Sequence, residues 1–151
     1  PEQNAQEISE KLSTLAAEKI LDDVDDILDD KARFVDQDHS KSTYAKKIDK
    51  NEGQINWNED ASNLIGKING LFPYPGAFFN FDGERYKVLK AQIGNGIGKV
   101  GEVISDNLEI ACSNNQSIKV LEIQRQGKKP QKINEFMLGS KIKKGSKILN
   151  V

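Results

Sequence analysis

Eight basic side chains stand in pairs or short clusters, and they are the residues of this sequence best suited to binding an anion. They are Arg125, Lys128, Lys129, Lys141, Lys143, Lys144, Lys46 and Lys47. Lysine and arginine beside phosphate groups release the counterions condensed on a polyanion, which favours binding whatever its sequence. Gly127 and Pro130 flank the paired lysines and favour a shaped loop. For each single lysine, a solubilising surface role is the alternative.

Charge is unevenly distributed along the chain, although the formal net charge is only −1. Residues 1–38 carry 4 Lys+Arg against 12 Asp+Glu, whereas residues 39–151 carry 18 against 11. The first segment is therefore acidic and the second basic. A basic domain behind an acidic segment is compatible with a polyanionic partner, and charge alone is equally compatible with a lysine-rich solvated surface.

The single cysteine and the single histidine are the candidates for nucleophilic or acid–base chemistry. Cys112 ends the alternating run of residues 108–112, which predicts a half-buried strand and a small core residue rather than a nucleophile. His39 lies between Asp38 and Ser40 in a polar segment. Neighbours in an extended segment point apart, so these three cannot form an oriented triad on their own. We expect His39 to face solvent as an ordinary linker residue.

Two further patterns resemble ligand-binding loops. One is an acidic run, Asp22, Asp23, Asp25, Asp26, Asp29 and Asp30; the other is a set of glycines at positions 94, 96, 98 and 101. The acidic run lacks the turn glycine and closing glutamate of a calcium loop, so a solvated, fraying helix end is the better interpretation. The glycines precede a predicted strand rather than a helix, which favours bends or a bulge over a dinucleotide loop. We expect no metal site.

Helical periodicity predicts three helices. Apolar residues recur at three- and four-residue intervals over residues 4–29, 58–71 and 133–138, with Asp60 as a candidate N-cap and Gly139 as a candidate C-cap. Residues 35–56 are polar and predict a linker. Between the second and third helices, two prolines in residues 72–76 fix a rigid corner.

Short alternating runs then predict a small antiparallel sheet or barrel. The five predicted strands are residues 77–81, 85–93, 98–105, 108–112 and 117–124, with an Asp82-Gly83 hairpin turn between the first two. Seven side chains are predicted to lie in the core: Leu64, Ile68, Val88, Val103, Ile110, Val120 and Ile123. No apolar run approaches the roughly 20 residues of a membrane span, and a secretory signal pattern is absent. We expect a soluble, cytoplasmic protein with no membrane partner.

Four stretches in order resemble methionyl-tRNA formyltransferases. Residues 37–48 are similar to the family's interdomain segment, and residues 53–57 (Gly-Gln-Ile-Asn-Trp) to its Ile-Asp-Trp entry to the C-terminal domain, with Asn56 in place of aspartate. Residues 72–77 (Phe-Pro-Tyr-Pro-Gly-Ala) resemble a motif in which tryptophan is commoner than Tyr74. Residues 124–130 (Gln-Arg-Gln-Gly-Lys-Lys-Pro), followed by residues 135–139, resemble the family's Gln-x-x-Gly-Lys-Lys stretch and terminal helix.

The resemblance implies a fold that is mainly β with flanking helices, an open oligonucleotide-binding-type β-barrel preceded by a helix and a linker. It implies that residues 1–34 hold the last helix of the formyltransferase domain, residues 35–56 the interdomain linker, and residues 57–151 the C-terminal tRNA-binding barrel. The partners it implies are methionyl initiator tRNA and the N-terminal catalytic domain of the same enzyme. The eight basic residues are then the expected tRNA contacts.

The resemblance also implies that the parent enzyme formylates the methionine amino group of the initiator tRNA in translation initiation. Its formyl donor is 10-formyltetrahydrofolate. The family's catalytic asparagine, histidine and aspartate belong to the N-terminal domain, and no stretch here matches those motifs. We therefore expect no catalytic residue and no bound cofactor in this segment, and expect the segment alone to be inactive.

Three alternatives remain open from the sequence. The first is a scaffold domain of a related formyl-folate hydrolase, dehydrogenase or sugar-nucleotide formyltransferase, against which the basic loop argues. The second is a protein-interaction module, which would need an exposed apolar patch. The third is base stacking on aromatic residues of the strands, Phe78, Phe79, Phe81 and Tyr86, for which core packing is the favoured alternative.

Overall fold

The acidic first part of the chain folds into a long helix, α1, Ala5–Leu28, as its periodicity predicts. The computed structural model describes residues 3–149. By their contacts, residues 6–48 form one unit and residues 49–149 form most of the other. None of the residues in α1 is buried, and its apolar face, which includes Ile8, Leu12 and Val24, is exposed. The intrinsic helix propensity of its residues contributes little to the stability of such an amphipathic helix. Packing of the apolar face against another part of a protein ordinarily supplies most of it.

The second unit begins with a short helix, α2, Ala61–Gly70. The Asp60 side chain accepts a hydrogen bond from the Asn63 backbone N–H at 2.8 Å, which confirms the predicted N-cap. Leu64, Ile65 and Ile68 of α2 are buried against the sheet. The helix thus covers one face of the strands that follow.

Five strands and a final helix complete this unit. They are β1 Ala77–Phe81, β2 Glu84–Ile93, β3 Glu109–Cys112, β4 Gln116–Arg125, β5 Gln131–Lys132 and α3 Ile133–Gly139. The sheet is antiparallel, with the strand order β1-β2-β4-β3. β5 pairs with the same edge of β4 as β3 does, further along that strand. The sheet stays open, and the expected fold of an open β-sheet with flanking helices is confirmed.

The core lies between α2 and the inner face of the sheet. All seven side chains predicted to be in the core are buried: Leu64, Ile68, Val88, Val103, Ile110, Val120 and Ile123. The pairing of β2 with β4 shifts register twice between Val88 and Ala91, and such irregularities increase the twist of a strand pair. Cys112 is also buried, and burial raises the pKa of its thiol, as expected for a small core residue.

Three details of the predicted elements are wrong. Residues 98–105 form no strand, because Gly101 takes a φ of +78° and the backbone hydrogen bonds of this segment are divided between β3 and the C-terminal tail. Ile148 N–H donates to the Gly101 carbonyl at 2.8 Å, and Val103 N–H donates to the Ser146 carbonyl at 2.9 Å. The two-residue strand β5 was not predicted. Gly139 is the last residue of α3 rather than its C-cap, which is Ser140.

The glycines at 94 and 96 lie against a buried carboxylate, whereas Gly98 lies against the Ile104 side chain. Glu109 is only 8% exposed, and its Oε1 accepts hydrogen bonds from Ser117 Oγ at 2.7 Å and from Gly96 N–H at 2.8 Å. Burial alone raises the pKa of this carboxyl, but the hydrogen bonds from Ser117 and Gly96 outweigh that effect, and the pKa lies below its usual value. At position 94 the carboxylate and the Ser117 hydroxyl lie so close to the backbone that only glycine fits.

Replacing Gly94 tests this close approach. A Cβ at position 94 would overlap both Glu109 Oε1 and Ser117 Oγ. We expect Gly94→Ala to lower the free energy of unfolding by about 1–3 kcal/mol, as overpacking does. The measurement is urea denaturation of the full chain.

The matched control is Gly66→Ala in α2, where nothing lies within 4 Å of the added methyl group. Alanine is the better helix former, so this variant should be neutral or stabilised by up to about 1 kcal/mol. Equal stability changes in the two variants would contradict the proposed packing around Glu109.

Candidate functional site

A cavity of about 420 Å³ lies between the β4–β5 turn and α3, and four of the eight predicted basic residues line it. These are Arg125, Lys128, Lys129 and Lys141. The structure therefore brings the turn residues and the first tail lysine together. Glu84 and Glu135 also line the cavity, so its surface is mixed in charge with an excess of cations.

The β4–β5 turn owes its shape to local hydrogen bonds. Gly127 has a φ of +72°, which glycine tolerates without strain, and Lys128 N–H donates to the Arg125 carbonyl at 3.0 Å. Gln124 Nε2 donates to the Lys128 carbonyl at 2.9 Å. The backbone of the turn is thus fixed from two sides. The exposed side chains of Lys128 and Lys129 extend from it beside the cavity.

Arg125 is part of a hydrogen-bonded chain across the sheet. Its guanidinium forms an ion pair with Glu84 Oε1, and Glu84 Oε2 accepts a hydrogen bond from Tyr86 Oη at 2.8 Å. The hydrogen bond from Arg125, followed by that from Tyr86, holds the pKa of Glu84 below its usual value. Burial, together with the hydrogen bond to Glu84, raises the pKa of Tyr86 to about 12.

Tyr86 connects this chain to the aromatic core. Its ring stacks on Phe79 with centroids 5.5 Å apart and meets Phe136 edge-on at 5.8 Å. Phe79 and Tyr86 are both buried, as is Phe78 on the opposite face of β1, while Phe81 is half-buried against the core. Core packing therefore accounts for these aromatic residues, and open stacking platforms for bases are not formed by them.

The four cations of the cavity differ in how far they are already neutralised. Arg125 is paired with Glu84, and Lys141 Nζ lies 3.6 Å from Asp82, although that second pair is exposed and correspondingly weak. Lys128 and Lys129 have no acidic partner among residues 3–149. These two lysines are thus the side chains most available to an incoming anion.

The other predicted site residues lie outside the cavity. Lys143 and Lys144 are exposed in a tail turn, where Lys143 N–H donates to Ser146 Oγ at 3.0 Å. Lys46 and Lys47 are exposed in the separate unit of residues 6–48. His39 is exposed in a short 3-10 turn, in which the Ser40 hydroxyl donates to Asp38 at 2.6 Å rather than to the histidine.

Sequence reasoning missed three cations and one acid close to the cavity. Arg85, Lys87 and Lys147 line two neighbouring cavities, and Glu84 pairs with Arg125. The alternation Glu84-Arg85-Tyr86-Lys87 was a usable signal, because it places the two basic residues on one face of β2 and the other two on the opposite face.

Within residues 3–149, no group of three or more His, Cys, Asp or Glu side chains could hold a metal ion. Of the helices described in that range, none combines the length and the apolar content needed to cross a membrane.

The family description "Formyl transferase, C-terminal domain" matches residues 47–141, and the chain belongs to this family. This confirms the resemblance seen in the sequence motifs. The fold is also found in HypX from Aquifex aeolicus, with a TM-score of 0.62 at 17% identity, covering 82% of this chain and 24% of that one. A HypX structure in complex with tetrahydrofolic acid gives a TM-score of 0.61 at 16% identity, covering 81% and 22%. At these identities the likeness concerns the fold alone.

Among curated proteins, the chain is similar to methionyl-tRNA formyltransferases. It is 62% identical over 148 residues to that of Pelagibacter ubique, covering 98% of this chain and 48% of the relative. It is 39% identical over 144 residues to that of Rickettsia massiliae, covering 92% and 46%. The chain thus spans about half the length of these relatives.

Replacing Tyr86 tests whether burial and the hydrogen bond to Glu84 raise the pKa of its hydroxyl. The pKa of Tyr86 is raised from 10.0 to about 12 in the folded protein, so the folded state holds this proton more tightly than the unfolded state. The resulting stabilisation is fully present below the ordinary tyrosine pKa and is lost as the pH rises from about 10 to about 12. We expect Tyr86→Phe to show a shallower loss of unfolding free energy over that range.

The measurement is denaturant unfolding at a series of alkaline pH values. Tyr74→Phe is the control, because Tyr74 is 68% exposed and outside the cavity. If Tyr86→Phe follows the wild-type slope, the pKa of Tyr86 is not raised in the folded protein.

Proposed function

We propose that this chain is the tRNA-binding and positioning part of a methionyl-tRNA formyltransferase. The whole enzyme would formylate the methionine amino group of initiator tRNA, using 10-formyltetrahydrofolate. The observation that carries the proposal is the cationic cavity, in which Lys128 and Lys129 lie without acidic partners among residues 3–149. Cations of this kind bind phosphate groups and position a nucleic acid without reading its bases.

The division of labour follows the order of the elements. Residues 1–34 would be the last helix of the formyltransferase domain, residues 35–56 the linker, and residues 57–151 the C-terminal domain. The exposed apolar face of α1 supports the first assignment, because such a face ordinarily packs against a partner. That partner would be the N-terminal catalytic domain of the same enzyme.

The eight predicted cations would contribute unequally to tRNA binding. Lys128 and Lys129 would make the strongest phosphate contacts. Arg125 and Lys141 would bind phosphate after their ion pairs with Glu84 and Asp82 are broken. Lys143 and Lys144 would extend the same surface along the tail. Lys46 and Lys47 would add contacts from the linker.

The cavity is unsuited to holding the folate itself. Its aromatic side chains, Tyr86 and Phe136, are only 4% and 7% exposed and pack edge-on against each other. They offer no open slot for a flat pteridine ring. The formyl donor would therefore bind to the part of the enzyme outside this chain.

The central test is the variant Lys128→Ala, Lys129→Ala. We expect it to weaken binding of initiator and other tRNAs to a similar extent, because phosphate contacts are independent of base sequence. The slope of log affinity against log salt should become shallower by about 0.7 to 0.9 per lost contact. The measurement is tRNA binding by the full chain over a range of salt concentrations.

Lys11→Ala, Lys19→Ala is the matched control, since both lysines lie on α1 and the charge change is the same. This control should leave the slope unchanged. An unaltered slope and affinity in the Lys128→Ala, Lys129→Ala variant would remove the β4–β5 turn from the tRNA site.

A second test concerns catalysis by the chain alone. We expect no formylation of methionyl-tRNA when the purified chain is given 10-formyltetrahydrofolate, because its one histidine is exposed and hydrogen bonds to neither Asp38 nor Ser40. The full-length relative from Pelagibacter ubique serves as the positive control. Turnover that disappears when a residue of this chain is replaced would contradict the proposal.

A further inference from the structure

The outer face of β2 and β4 carries a second row of polar side chains, opposite to the face that bears Tyr86. Lys87 pairs across the sheet with Phe78 of β1 and Gln124 of β4, and Arg85 pairs with Asn80. Gln126 continues this row, because its backbone N–H donates to the Arg85 carbonyl at 2.9 Å. Two cations on β2 thus lie opposite two primary amides at one end of the sheet.

Arg85 is held in position by an aromatic ring rather than by an acid. Its Cζ lies 4.0 Å from the centroid of the Phe78 ring, and Phe78 is 3% exposed. Within residues 3–149 the guanidinium has no acidic partner. Stacking on Phe78 fixes the plane of the Arg85 guanidinium. Its N–H groups at the edge of that plane remain able to bind a phosphate with two parallel hydrogen bonds.

Lys87 is positioned in a similar way by the backbone. A Cβ at Gly76 would lie 3.1 Å from Lys87 Cδ, so the lysine stem runs closely past this glycine. Its ammonium group also has no acidic partner in the described part of the chain. Both cations of the outer face are therefore held in position by neighbouring groups, and neither forms an ion pair with an acidic residue of the described part of the chain.

Two cavities join this face to the site already described. One, of about 210 Å³, is lined by Arg85 and Lys87 with Gln124, Arg125 and Gln126. The other, of about 860 Å³, is lined by Arg85, Gln126, Lys141 and Lys147 among others. The first shares Arg125 with the cavity at Lys128 and Lys129, and the second shares Lys141 with it. The cationic surface is thus continuous from one face of the strand pair to the other.

We infer that this outer face, Arg85, Lys87, Gln124, Gln126 and Lys147, is a second site for an RNA backbone. The cations match phosphates, and the amides match ribose 2′-hydroxyl groups, which donate and accept hydrogen bonds and are absent from DNA. Because Gln124 Nε2 is engaged by the Lys128 carbonyl, its amide oxygen remains to accept from a hydroxyl. The inference rests on the proposed function, since it extends the same tRNA site around the end of the sheet.

The test compares Arg85→Ala, Lys87→Ala with the matched control Lys90→Ala, Lys99→Ala, whose residues line none of these cavities. In the full chain, the first variant should make the salt slope of tRNA affinity shallower by about 0.7 to 0.9 per lost contact, and the control should leave it unchanged. Arg85→Lys should retain the salt slope but lower the affinity for tRNA. The charge is kept, but the lysine ammonium cannot form the paired hydrogen bonds of the planar guanidinium. Unchanged denaturation midpoints would establish that the variants are folded.

A second arm tests the amides. Gln126→Ala should reduce the ratio of affinities for a tRNA-derived RNA hairpin and its DNA copy, without changing the salt slope. An unchanged ratio would overturn the assignment of an RNA backbone to this face. Displacement of tRNA by a polyglutamate peptide, abolished in Arg85→Ala, Lys87→Ala, would overturn it in favour of an acidic protein.

Failure of this inference is separable from failure of the proposed function. If the wild-type chain shows no salt-dependent tRNA binding, the proposed function fails. If Lys128→Ala, Lys129→Ala changes the slope while Arg85→Ala, Lys87→Ala does not, only the second site is wrong.

Discussion

A column of four aromatic rings determines how residues 49–149 fit together. Trp57 meets Phe79 at 5.9 Å between centroids, Phe79 stacks on Tyr86, and Tyr86 meets Phe136 edge-on. The column runs from the segment before α2, through two strands, to α3. Contacts of this type add to the apolar area that the rings bury. Since Tyr86 also donates to Glu84, the same column sets the position of the ion pair at the cavity.

Local patterns were enough to predict most of the elements, and long-range pairing explains the errors. The helical period of α2 and the alternation of β2 and β4 reflect burial on one side, which a single segment reveals. The same period predicts α1, although none of its residues is buried. Residues 98–105 alternate in the same way, yet their backbone hydrogen bonds are divided between β3 and a tail more than forty residues further along the chain. The pattern of residues within one segment cannot show that its backbone pairs with so distant a part of the chain. Likewise, Gly94 and Gly96 are explained by side chains more distant in the sequence, Glu109 and Ser117 at Gly94 and Ile104 and Glu109 at Gly96.

The candidate site was predictable to a similar degree. Lys128 and Lys129 stand out because they are paired within a turn, and the structure places both at a cavity. The ion pair between Arg125 and Glu84 could not be predicted from the sequence. Glu84 lies forty-one positions away and comes close to Arg125 only because β2 pairs with β4. Arg85 was missed for another reason. Its alternation with Tyr86 was visible, but the stacking on Phe78 that makes it rigid depends on the neighbouring strand.

The pairing of the tail with Gly101 and Val103 bears on how this domain matures during translation. Ile142 and Ile148 are both in the core, and Ile148 bonds to the Gly101 backbone. A ribosome delivers residues in order, so the other side chains of this core emerge before the two isoleucines do. The nascent domain therefore exposes part of its apolar interior until Ile148 has left the exit tunnel.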